Sequence, residues 1–128
     1  MITNNTITII GIGRGIMEIL TVKMFDRVGD SSDIVALDLK DVNYVEVMRV
    51  NGNSSKVLVY NTPKGSHLAI HTLRDALLAY RSQQFELYDQ STIVNTKQIQ
   101  NISPHPNGSI ITFFDNSHTK VRKKFKNH

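Results

Sequence analysis

FELYDQSTIVNTKQIQNISPHPNGSIITFFDNSHTKVR, residues Phe85 to Arg122, is an alternating apolar pattern broken by turns and ending in a basic tail. Phe85 to Tyr88, Ile93-Val94 and Ile99 to Ile102 carry the short apolar runs of strands. Pro104-His105-Pro106-Asn107-Gly108 is a strong turn, and Ser109 to Phe114 is expected to pair back across it. Asp115-Asn116-Ser117 closes a second turn before Thr119 to Val121. A stretch of this kind reads as antiparallel sheet.

Upstream the same grammar continues. From Met17 to Met24 apolar residues recur at nearly every second position, which predicts a strand with one face buried. Gly29 to Asp33 is a turn. Ile34 to Leu39, Tyr44 to Val50 and Lys56 to Asn61 read as further strands, with Asn51 to Ser55 a polar loop. Thr62-Pro63-Lys64-Gly65 should fold the last of these into a hairpin with His67 to His71. One segment breaks the period. Thr72 can cap a helix whose stripe is Leu73, Ala76, Leu77 and Tyr80, with Asp75 near its N-terminal dipole and Arg74 and Arg81 on the outer face. With a sheet to cover, that stripe is core rather than a binding surface. The fold class expected is therefore mainly β with one clear α-helix. Residues 1–16 are read as an irregular lead-in or edge strand and 17–128 as the domain, without internal repeats.

The 128 residues suit one fold with a core that needs no staples. Cysteine is absent, which removes disulfides and thiolate metal sites and is compatible with a reducing, cytoplasmic setting. No apolar run approaches a membrane span, and no basic segment leads an apolar one near the start, so neither export nor insertion is expected. The net charge of +4 is unevenly placed: Lys120, Arg122, Lys123, Lys124 and Lys126 follow Asp115 with no acid among them, so the surplus lies in the tail. A cationic run on a balanced domain suits an anionic polymer, because each neutralised phosphate releases counterions; it also suits a solvated, frayed terminus.

Other chemistry finds little purchase. His67 and His71 share a face, but no third ligand falls at a recognisable spacing. Gly11-Ile12-Gly13-Arg14-Gly15 lacks the last glycine of a dinucleotide fingerprint, since Ile16 stands there, and has no Lys-Ser/Thr pair of a P-loop. Asp30, Asp33, Asp38 and Asp41 have no evident acid-base partner. No enzyme, cofactor or metal is expected.

The order of Phe85, Ser91, the triplet Ile93-Val94-Asn95, Ile99, Ile102, a turn, one more strand and a basic residue after Val121 resembles the C-terminal half of the LytTR DNA-binding domain, the output module of bacterial response regulators. Asp41-Val42-Asn43-Tyr44-Val45-Glu46 is similar to that family's strand before its first recognition loop, and Lys56 to Ala79 to the strands and helix that follow. The resemblance covers about residues 34–124. It implies small antiparallel sheets that present side chains on loops and strand ends to the major groove, without a recognition helix. The base-reading positions it points to are Arg122, Gln90 and, in the first loop, Asn51, Asn53 and Ser54. Arg fits guanine O6 and N7, and Gln fits adenine N6 and N7. Lys120, Lys123, Lys124, Lys126, Ser55 and Ser91 are then expected on phosphates. Two departures stand out: Asp89 occupies a position where the family usually has His, and Phe85 to Asn95 is one residue longer than usual.

The resemblance further implies a transcriptional regulator, or the output domain of one, acting on double-stranded DNA at paired direct-repeat half-sites. A receiver domain would belong to a longer chain, so this is either a stand-alone regulator or an output fragment. No dimerisation helix is visible, and a monomer that pairs on DNA is expected. The alternative is a β-rich protein-interaction module that adds a strand to a partner without reading DNA; its affinity would depend little on salt.

Overall fold

The computed structural model describes residues 9–13, 16–49, 56–69, 76, 77 and 80–125. Within them the alternating segments form strands β1 (Ile9–Gly13), β2 (Ile16–Lys23), β3 (Ile34–Asp38), β4 (Tyr44–Arg49), β5 (Lys56–Thr62) and β6 (Gly65–Ala69). After the helical region come β7 (Phe85–Asp89), β8 (Thr92–Asn95), β9 (Ile99–His105), β10 (Gly108–Phe113) and β11 (His118–Val121). All pairings are antiparallel. The larger sheet runs β1-β2-β6-β5-β4-β8-β7, and the smaller one β11-β10-β9. β3 also joins β2: Glu18 pairs with Gly11 across one edge and Asp38 across the other, so β1 and β3 lie on opposite edges of β2.

The pair β4–β8 explains how two sheets become one structure. Side chains on a strand alternate between faces, so the register Tyr44↔Val94 and Val45↔Ile93 sends one pair each way. Val45 and Ile93 join Ile19, Leu58, Tyr60, Phe85 and Tyr80 in a first core. On the opposite face Tyr44, Tyr88 and Val94 meet Ile111, Phe113 and Val121 of the small sheet in a second. The rings of Tyr44 and Phe113 stack 5.5 Å apart and 6° from parallel. Such a pair contributes about 0.5–1.5 kcal/mol beyond its buried area. Fully buried side chains such as Val94, Ile111 and Phe113 each contribute about 1.5–3 kcal/mol more.

Buried amides tie the sheets where apolar packing alone would leave polar groups unmet. The Asn43 N–H donates to Asn61 O at 2.8 Å, and its carbonyl accepts from the Asn95 N–H at 2.9 Å. The Asn43 side-chain amide reaches Asp115 and Ser117, both at 3.2 Å, beyond the small sheet. In the first core the hydroxyls of Tyr60 and Tyr80 share a 2.6 Å hydrogen bond, and burial pushes both phenols well above their ordinary pKa.

The one clear α-helix expected over residues 72–81 is not borne out. Most of that stretch lies outside the described residues; Ala76, Leu77 and Tyr80 are helical in backbone. Ala76 and Tyr80 are buried in the first core with Leu77 packed against it, as a core stripe should be. The chain then tightens into a 3-10 turn at Arg81–Gln83 that ends on Gln84 in the left-handed region, φ 66°. The other complete helical elements among the described residues are also three-residue 3-10 turns, at Ser31–Asp33, Leu39–Asp41 and Thr96–Gln98. Each begins with an Asp or Asn whose side chain accepts the amide two residues on, and each returns at once to extended backbone.

The competing sequence features have structural occupations. Gly11 and Gly13 lie in β1; Arg14 and Gly15 are outside the described residues. His67 is buried in β6 opposite Tyr60 and Lys23, and its Nδ1 finds no hydrogen-bond partner among the described residues. His71 is outside them. Asp33 accepts the amides of Val28 and Gly29, both at 2.7 Å, which hold its carboxyl below the ordinary value. Among the described residues no three His, Asp or Glu cluster as a metal site. No helix there is long and apolar enough to cross a membrane.

Candidate nucleic-acid interface

The β7–β8 connection is shaped by one extra residue. Phe85↔Asn95, Glu86↔Val94 and Leu87↔Ile93 pair regularly, and the next pair is Asp89↔Thr92, so Tyr88 stands alone in a bulge. A bulge breaks the alternation of faces. Tyr88 packs in the second core, on the face of β7 that Glu86 shares with Val94, and the bulge shifts Asp89 into register with Thr92 at the strand end, ahead of Gln90 and Ser91.

In the turn, Asp89 Oδ1 accepts the Ser91 N–H at 2.9 Å and the Ser91 hydroxyl at 3.2 Å. Its Oδ2 accepts the backbone N–H of Arg122 at 3.0 Å, 33 residues along the chain. Partial burial acts to raise the Asp89 carboxyl, but the amides of Ser91 and Arg122 and the hydroxyls of Thr92 and Ser91 outweigh it and hold the group below its ordinary range. Asp89 is therefore an ion with its lone pairs spent inside the protein. Both donors of Ser91 are likewise turned toward Asp89. Gln90, between them, is exposed.

Arg122 follows β11 and is exposed, while Val121 before it is buried in the second core. The backbone around it is held on three sides. The Lys123 N–H donates to Tyr88 O at 3.1 Å, and the Ser109 hydroxyl donates to Lys123 O at 2.7 Å. From below, Gly108 approaches so closely that a Cβ there would lie 1.9 Å from Val121 O and 2.9 Å from the Arg122 Cα. The Lys123 ammonium sits over two rings, 5.3 Å from the centre of Tyr88 and 5.2 Å from that of Phe125. Lys120 and Lys124 are exposed.

Tyr88, Asp89, Gln90, Ser91, Arg122 and Lys123 together line a depression of about 560 Å³ open to solvent. Gln90 and Arg122 thus share one surface. Asn51, Asn53, Ser54, Ser55 and Lys126 lie outside the described residues, but the strand ends that bracket the first loop are placed. Val47 N–H donates to Ser91 O at 3.1 Å, and β4 and β5 end with Arg49 opposite Lys56. At roughly 3.3 Å per residue the β4–β5 hairpin opens about 7 Å beyond the Gln90 turn, at the same end of the sheet.

Sequence reasoning left Asp89 without a partner and missed Gly108. A signal existed for part of this. Asp30, Asp89 and Asp115 each stand two residues before a Ser whose amide they accept, a repeated Asx turn written as D-x-S. The second oxygen of Asp89 bonds across the fold, and no local pattern announces that.

Three comparisons bear on this arrangement. A family model described as the LytTr DNA-binding domain matches residues 32–126. Among solved structures the chain is similar to the LytTr DNA-binding domain of a protein described as a methyl-accepting/DNA response regulator from Bacillus cereus. The TM-score is 0.62 and the identity 16%, over 86% of this chain and 88% of that one; at such identity the likeness concerns the fold. No curated protein matches.

Proposed function

Because the chain belongs to the LytTR DNA-binding domain family, we propose that it binds double-stranded DNA with sequence preference and acts as a bacterial transcriptional regulator or as the output domain of one. The observation that supports this reading most is the meeting of Gln90 and Arg122 on one exposed surface at the loop-bearing end of the sheet. Arg122 offers a planar fork to a guanine, and Gln90 an amide to an adenine. Asn51, Asn53 and Ser54 would read a neighbouring step from the first loop. Lys120, Lys123, Lys124 and Lys126, with Ser55 and Ser91, would hold phosphates and set the register. For Ser91 this requires its hydroxyl to leave Asp89.

Readers of this kind need a rigid mount, since base discrimination depends on hydrogen-bond geometry. The clamped backbone of Arg122 and the tight Gln90 turn supply one. Charge fits the same role: the +4 surplus lies in the segment that carries Arg122. Binding by a cytoplasmic monomer that pairs on two direct-repeat half-sites completes the proposal, with residues 17–128 as the working domain and any receiver in a longer chain. No catalytic step is part of it.

The test is selection of bound duplexes from a random pool, followed by salt titration of the selected site against scrambled DNA. A preference well above tenfold with a steep salt slope is expected. A preference below about tenfold, or an affinity indifferent to salt, would favour a module that recognises proteins by strand addition.

A further inference from the structure

The carboxylate of Asp89 lines the same depression as Arg122 and Lys123, where a negative charge would repel a phosphate backbone. That cost needs a compensating role, and the geometry provides one. A carboxylate has two oxygens that accept and none that donates. One takes the amide of Ser91, which closes the Gln90 turn; the other takes the amide of Arg122.

We propose that Asp89 is the positioning residue of the interface: a single carboxylate locks the two proposed base readers, Gln90 and Arg122, into one rigid unit, and its charge suppresses indiscriminate binding to phosphate. The inference rests on the DNA-binding reading above. It deepens that reading by naming the residue that sets discrimination without touching a base. Asp89 suits the task because its side chain is short, its strand ends in a bulge that aims it across the fold, and Arg122 presents a backbone N–H rather than a side chain. The guanidinium is thereby left free for the duplex.

Asp89→Asn preserves shape but has one accepting oxygen, so one of the two ties must face an NH₂ group and break. In the full chain, we expect random duplex to be bound several-fold more tightly because a negative charge is gone. The preference for the selected site over random duplex should fall about tenfold or more. Without DNA, the Arg122 or Ser91 amide should exchange hydrogen at least tenfold faster, while the Ile93 and Ile111 amides keep their protection. Asp89→Glu, which retains charge and both acceptors, should recover much of the preference.

The outcomes separate cleanly. If the wild-type chain selects no sequence, the DNA reading falls and takes the positioning role with it. If it does select one, then an unchanged preference in Asp89→Asn, with both duplexes bound equally better, would mean that Asp89 acts as charge alone. Equal losses on both duplexes together with core amides exposed would mean a general folding role. Either result overturns the proposal, as would unchanged exchange at both Ser91 and Arg122.

Discussion

The proposed interface divides single residues into readers and holders, and the two kinds should fail differently. Arg122→Ala is expected to cost about 1–3 kcal/mol on the selected site and to relax the preference there. Lys124→Ala should weaken every duplex alike and lower the salt slope by about one. Parallel titrations of selected and scrambled DNA distinguish them, and equal losses on both duplexes for Arg122→Ala would remove it as a reader. His67 makes a different kind of prediction. Burial first, then the Lys23 charge, lowers its pKa from the ordinary 6.5, so the folded protein favours neutral imidazole. Its contribution to stability is therefore complete above pH 6.5 and is lost as the pH falls below that value. The lowered carboxyls of Asp33, Asp89 and Asp115 act in the same sense but only as the pH falls below 3.8. Thermal melts between about pH 7.5 and 5 should show a falling Tm in the wild type and a flatter profile in His67→Leu. Identical slopes in the two proteins would contradict this.

Elements carry the next level, and Gly108 shows how one strand start governs another strand's end. In Gly108→Ala the new methyl collides with Val121 O and the Arg122 Cα, so β11 must move away from β10. Overpacking of this sort costs about 1–3 kcal/mol, and here it also displaces Arg122. Denaturant unfolding and site selection should both register the change; a stability loss with full discrimination would mean that Arg122 does not need this backing. The same element marks the limit of what sequence discloses. Alternation and turn residues made β2 to β11 legible, because period-two patterns and Asp, Asn, Pro and Gly punctuation are local. Of the proposed site, Gln90 and Arg122 were legible through the resemblance of their flanks, Ser91 to Asn95 and Val121. The tie from Asp89 to Arg122 and the close approach of Gly108 depend on register between strands far apart in sequence, which no local pattern encodes. Of the expected helix, Ala76, Leu77 and Tyr80 are described and show the stripe; the 3-10 turn after them ends on Gln84 in the left-handed region, which helical periodicity does not foresee.

Across the whole molecule the decisive fact is that β8 is buried on both faces and that β4, beside it, sends a side chain to each core. Val45 and Ile93 serve one core, Tyr44 and Val94 the other, so neither sheet can melt without exposing a strand pair that the opposite core requires. Asn43 reinforces the coupling, joining Asn61 and Asn95 by its backbone and Asp115 and Ser117 by its side chain. Folding should then be one cooperative event even though the apolar residues form two clusters. Phe113 tests this, because it is fully buried in the second core and stacks on Tyr44 of the larger sheet. Phe113→Ala should cost about 3–5 kcal/mol. If the cores are coupled, the loss appears as one transition shifted to lower temperature, with far-UV circular dichroism and tyrosine absorbance superimposed. A small sheet that docks independently would instead detach first, giving two separated transitions. That distinction reaches the proposed function, since β11 leads into Arg122 while Gln90 lies in the turn between β7 and β8. A molecule whose sheets came apart could not hold those two side chains at a fixed spacing on a duplex.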